Sequence, residues 1–201
     1  MKKITLVTIF TLSFCFLSGP AFSGVQNQPT AKEPVLITSC GQSPGPAIVK
    51  VVLQKLKVDF DLQPLAKASD LQTKKASGQP YSSVIIVMGA SLKGMGAAGI
   101  SMDDEIKRIS GLIQEARNQG LTIIGAHVEG MKRRSQGAAA GDTTDEQSID
   151  AVAPNSDILL INKDGNSDGR FTIISQAKKI PLIEVEKNMD LVAEFSKIFG
   201  K

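Results

Sequence analysis

Residues 84–101 read VIIVMGASLKGMGAAGIS, and the division of this stretch decides the fold. Val84 to Met88 is an unbroken apolar run rich in β-branched side chains, which suits a strand buried on both faces. Gly89 ends the run, and a turn rich in glycine and alanine follows. Ser101, three residues before Asp104, has the spacing of a helix cap. It opens an amphipathic segment with Ile106, Ile109, Leu112, Ile113 and Ala116 on one side, and Gly120 is the expected stop. Strand, turn and helix in this order are half of a parallel β-α-β unit.

The same alternation runs along the chain. The other apolar runs are VLIT (35–38), VDFDL (58–62), LTIIGA (121–126), DILLI (157–161) and IPLIEV (180–185). Pro46 is placed in the first turn of a helix through Ile48, Val52 and Leu56. Asn188 is placed to cap a last helix bearing Leu191, Val192, Phe195, Ile198 and Phe199. Residues 143–152 and 170–178 are shorter helical candidates. The pattern predicts one α/β domain: a doubly wound, mostly parallel sheet of five to six strands with helices on both faces, Rossmann-like or flavodoxin-like. Ligands of such sheets bind outside the carboxyl ends of the strands, where the winding reverses. The residues just after each strand are therefore the candidates for function.

Residues 1–23 have the parts of a secretory signal: Lys2 and Lys3, a largely apolar run from Ile4 to Leu17, and Ala21-Phe22-Ser23 as a cleavage pattern. The run is shorter than the roughly 20 residues of a membrane-spanning helix. The expected organisation is a signal peptide at 1–23, a flexible tether at 24–33 and the α/β domain at 34–201. An exported chain, periplasmic or extracellular and without a membrane anchor after cleavage, is implied. Removing 23 of 201 residues lowers the formal charge from +3 to +1, because two lysines leave. With no Trp and one Tyr there is no basic stripe studded with aromatics, which excludes nucleic acid as the expected partner. Cys40 is the one cysteine beyond the signal, so no disulfide forms within the domain.

Four loops carry the polar chemistry. The first, SCGQSPGP (39–46), places Cys40, Gly41, Gln42 and Ser43 before a helix, where backbone amides suit an anion. Cys40 is read either as a nucleophile with a lowered pKa or as a small buried residue. The arginine that closes a phosphatase cradle six residues on is absent, since Pro46 stands there. The second loop, GASLKGMGAAGIS (89–101), contains G-x-G-x-x-G from Gly94 to Gly99. Its glycines come too late after the strand for a dinucleotide turn, and no acid follows at the ribose spacing. A glycine flap with Gly89, Ser91, Lys93 and Gly94 as ligand contacts is the expectation, with no cofactor. The third loop begins with His127, the only histidine, and continues through Lys132, Arg133 and Arg134 in a segment of lid-like length. The two arginines suit a carboxylate or phosphate.

The fourth loop, DGNSDG (164–169), copies the opening of a calcium loop, which makes Asp164, Asn166 and Asp168 weak metal candidates. It follows a strand, not a helix, and position twelve is Ser175 where a bidentate glutamate belongs. The favoured reading makes Asn166 and Asp168 polar contacts in the shared crevice.

Taken in order, ITSCGQSPG, LKGMGAAGIS, HVEGMKRRS and DGNSDGRFT resemble an uncharacterised family of exported bacterial proteins, the domain of unknown function 6305. The resemblance covers about residues 33–199. It implies a Rossmann-like domain behind a signal peptide, and it implies no reaction and no catalytic residue. The functional expectation is a small anionic molecule bound in a crevice at the carboxyl edge. One alternative is a hydrolase or transferase using Cys40 with His127 as base. A lesser one is an envelope protein-interaction module.

Overall fold

Apolar runs with both faces covered become the interior strands of a single parallel sheet. A computed structural model describes residues 29–135 and 143–201. The expected signal peptide and residues 24–28 of the tether lie outside the described residues, as does 136–142 of the lid-like segment. The strands are β1 (Val35–Cys40), β2 (Phe60–Leu62), β3 (Ser83–Met88), β4 (Thr122–His127), β5 (Ile158–Asn162) and β6 (Leu182–Val185). All five pairings are parallel, in the order β2-β1-β3-β4-β5-β6.

Side chains alternate between the two faces along each strand. Leu36, Cys40, Ile86, Met88, Ile123 and Ile161 pack with α2 (Ala68–Ala76), α4 (Met102–Gln119), α5 (Thr144–Val152) and α6 (Arg170–Lys178). Val35, Ile37, Ile85, Val87, Ile124 and Leu160 pack with α1 (Gly45–Lys55) and α7 (Leu191–Phe199). The chain leaves β1 toward β2 and leaves β3 toward β4, so the winding reverses between β1 and β3. That junction is where this topology places ligands.

Three local expectations are corrected. The expected flap after β3 is a helix, α3 (Leu92–Ala98), capped by the Ser91 hydroxyl, which accepts from Gly94 N at 3.1 Å. Gly94 is there for contact: a Cβ on it would lie 2.1 Å from the Gln42 carbonyl oxygen. The helix expected to start from an Asn188 cap begins at Leu191, and Asp190 accepts from Lys187 N at 3.0 Å. Finally, residues 29–33 are docked on the domain. Ala31 is buried and donates to Ile198 O, Lys32 exchanges two bonds with the Ser83 hydroxyl, and Glu33 pairs with Lys201.

Candidate functional site

At the reversal point the loops after β1 and β3 close on each other. Gly89 N donates to Cys40 O at 3.2 Å and Ser91 N to Gly41 O at 2.7 Å. Gln42 and Ala90 add an isolated antiparallel bridge. Gly41 has φ 102°, and a Cβ on it would stand 2.6 Å from Ala90 Cα, so only glycine passes there. Beneath this clasp lies a buried ion pair on α4. Glu105 Oε1 accepts from Gly41 N and from Gln42 Nε2, both at 2.8 Å, and from Arg108 Nη2 at 2.8 Å. Arg108 also donates to the carbonyls of Ser39 and Ala66. The end of β1 and the loops after β1 and β2 are thus tied to one side-chain pair.

On the α1 face of the same junction sits a carboxylate. Glu129, two residues past β4, reaches back so that its Oε2 accepts from Gly45 N, the first amide of α1, at 3.1 Å. Its Oε1 accepts from Arg133 Nε at 3.1 Å, and its side chain is 9% exposed. Ser43 Oγ shares the Gly45 amide at 3.2 Å, and Arg133 Nη1 donates to Ala90 O at 2.8 Å. Gly89 lies against the Arg133 side chain. Asp145 accepts from Ala90 N at 2.8 Å, and burial raises its carboxyl above the usual carboxylate range. Neither Glu129 nor Asp145 was singled out from the sequence. For Glu129 the available sign was an acid two residues past a strand; Asp145, in the first turn of α5, gave none. Lys93 and Lys132 are exposed and carry no ion pair among the described residues.

The nucleophile–base pair weighed from the sequence is not assembled. Cys40 is fully buried, and burial pushes its thiol up to about 12, against a weaker opposing contact from the Ser148 hydroxyl. His127 is equally buried, with Nδ1 facing Met88 O at 3.2 Å and Nε2 facing Gly130 O at 3.1 Å. Both ring nitrogens face backbone carbonyls, to one of which the neutral ring donates, and neither is directed at the thiol. Burial lowers the pKa of this imidazole from its ordinary 6.5.

Arg134, expected to contact ligand, ties two loops together instead. It donates to Glu146 Oε1 at 2.7 Å, to Asp168 Oδ2 at 2.5 Å and to Gly165 O, and its guanidinium lies 5.5 Å from the centre of the Phe171 ring. Arg170 faces the other oxygen of Glu146 at 2.6 Å. The oxygens of the DGNSDG loop are likewise turned to protein donors. Asp164 Oδ2 accepts from Met131 N at 3.0 Å, and Asn166 Oδ1 accepts from Phe171 N at 2.8 Å. Asp168 accepts from Arg170 N at 3.1 Å, and Arg134 holds its carboxyl below the usual range. Among the described residues no group of three or more His, Cys, Asp or Glu is arranged to hold a metal ion. These side chains cap α6 and bind Arg134.

The expected residues thus share the carboxyl edge, and among the described residues three hollows can be compared with them. An open hollow of about 360 Å³ beside the clasp is lined by Gln42, Gln63, Pro64, Leu65, Ala66 and Asp70. Of the expected contacts only Gln42 borders it. Larger hollows, of about 520 and 670 Å³, lie between α2 and α4 and beside β6.

The class these features define is a doubly wound parallel α/β domain with its own carboxylate seated at the reversal point. The chain belongs to the family described as domain of unknown function DUF6305, whose profile matches residues 32–199. No curated protein matches the sequence. Among solved structures, a GDSL-like lipase from Bacteroides thetaiotaomicron is 14% identical, covering 77% of this chain and 71% of that one at a TM-score of 0.33. The isolated REC domain of RcsB from Salmonella enterica serovar Typhimurium is 11% identical, covering 85% and 99%, at a TM-score of 0.34. A psychrotrophic esterase, EstA, from a Pseudoalteromonas species is 10% identical, covering 84% and 94%, also at 0.34. None of these likenesses lends this chain an activity.

Proposed function

We propose that the chain is an exported α/β domain that binds a small anionic molecule at the carboxyl edge of its sheet, over the junction of β1, β3 and β4. The observation that supports this most is the seat of the Glu129 carboxylate, one oxygen on a helix-terminal amide and the other on Arg133. An edge that holds a carboxylate in this way has the donors an anionic ligand needs. Lys93 and Lys132, exposed beside it, draw anions toward the same edge. Export rests on the signal pattern at residues 1–23.

The test is a thermal-shift panel on the chain lacking residues 1–23, with acetate, succinate, inorganic phosphate and nucleotides as probes. A binder raises the melting midpoint in proportion to its concentration over Kd, and the rise is lost in Arg133→Ala. A panel in which no anion moves the midpoint retires the reading.

A further inference from the structure

The start of α1 has an unusual source of capping. The residue before the helix is Pro44, which has no side-chain acceptor, and no acidic residue lies in the first turn. The Gly45 amide is shared by the Ser43 hydroxyl, at 3.2 Å, and by Glu129, which reaches it from 84 positions along the chain. On the strand beneath is a hydroxyl with no hydrogen-bond partner among the described residues: Ser39 Oγ, on a residue with no exposed surface. Ser39 alternates with Thr38 and Cys40, so it points to the face of β1 that α1 covers, with Val35 and Ile37. Its partner across the β1–β3 pair is Val87, and a Cβ on Gly45 would lie 2.7 Å from Val87 Cγ1. The hydroxyl therefore lies on the sheet face beneath the first turn of α1, whose Gly45 amide holds Glu129. Leaving a buried hydroxyl without a partner is destabilising.

We infer that Glu129 is an internal stand-in for a carboxylate ligand, which takes over Gly45 N and Arg133 when the Glu129 side chain swings outward and reaches the Ser39 hydroxyl as well. This rests on the anion-binding reading above and names the ligand class. The shape of the seat selects a carboxylate over a phosphate. Two donors each meet a separate oxygen of one planar group, and Val87 and the Arg133 side chain crowd the adjoining Gly45 and Gly89.

The experiment is calorimetric titration of acetate, succinate and inorganic phosphate into the wild-type chain and into Glu129→Ala, Glu129→Gln, Arg133→Ala and Ser39→Ala, with circular dichroism on each to verify folding. Removing the competitor raises the competent fraction, so Glu129→Ala binds succinate roughly tenfold tighter than wild type. Glu129→Gln, of the same size, shifts in the same direction. Arg133→Ala loses binding, and Ser39→Ala weakens it by about threefold, in line with one neutral hydrogen bond. If wild type binds succinate and neither Glu129 variant binds it more tightly, the stand-in is overturned while the anion-binding reading survives. Phosphate binding Glu129→Ala more tightly than either carboxylate overturns the ligand class. Silence from every protein with every probe removes both proposals.

Discussion

His127 is held neutral inside the fold, and acid therefore acts against it. Burial lowers its pKa from the ordinary 6.5, while the unfolded chain takes up a proton near that value. The unfolded state thus binds more protons as pH falls below about 6.5, and stability present above that pH is lost on acidification. Urea midpoints measured between about pH 5 and 8 should decline toward the acid end, and His127→Gln should flatten the slope on that side. Cys40 makes a complementary case. With a buried thiol pushed up to about 12, iodoacetamide should label the native protein only through unfolding. Labelling followed by mass spectrometry should therefore track urea concentration. Fast labelling of the native protein at about pH 8 would contradict the buried thiol.

Within elements, two glycines of α3 should respond with opposite signs. Gly94→Ala drives a methyl into the Gln42 carbonyl oxygen at 2.1 Å and should cost about 1–3 kcal/mol. Gly96→Ala meets no atom within 4 Å and should add about 0.5–1 kcal/mol by improving helix propensity. Denaturant melts of the two variants check both. Arg108→Ala strips the buried Glu105 of its counter-charge and should cost about 3–5 kcal/mol, although the i,i+3 spacing reads as a solvated surface pair. The strands and α4 were legible because long apolar periodicities dominate their windows. The helix α3 was not, since its glycines argue locally for a loop and only packing on Gln42 accounts for them. Arg134 and Asn166 lie in the segments that follow β4 and β5, where the apolar runs leave them. Their partners, Glu146 and Asp168 for the one and Thr172 and Glu184 for the other, are set by tertiary approach that no local pattern encodes.

At the scale of the whole molecule, the domain begins before its first strand. Residues 29–33 bond to β3, to the residue before β2 and to the carboxyl-terminal helix. A chain beginning at Pro34 should be less stable than one beginning at Pro29 by about 2–4 kcal/mol, on the scale of several net hydrogen bonds. Paired chemical melts would measure the difference. The alternation of elements announced a doubly wound parallel sheet, but its strand order, and with it the reversal point between β1 and β3, was not legible. Nor was the closure of that junction. Gln42 with φ 55° and the Gln42–Ala90 bridge are outcomes of packing. That bridge has a mechanical consequence. It stitches two neighbouring crossovers together beyond the last rung of the β1–β3 ladder, adding a tie across the seam between the two halves of the sheet. For the anion site proposed above, that tie predicts recognition by rotation of side chains, with vacant and loaded forms sharing one backbone.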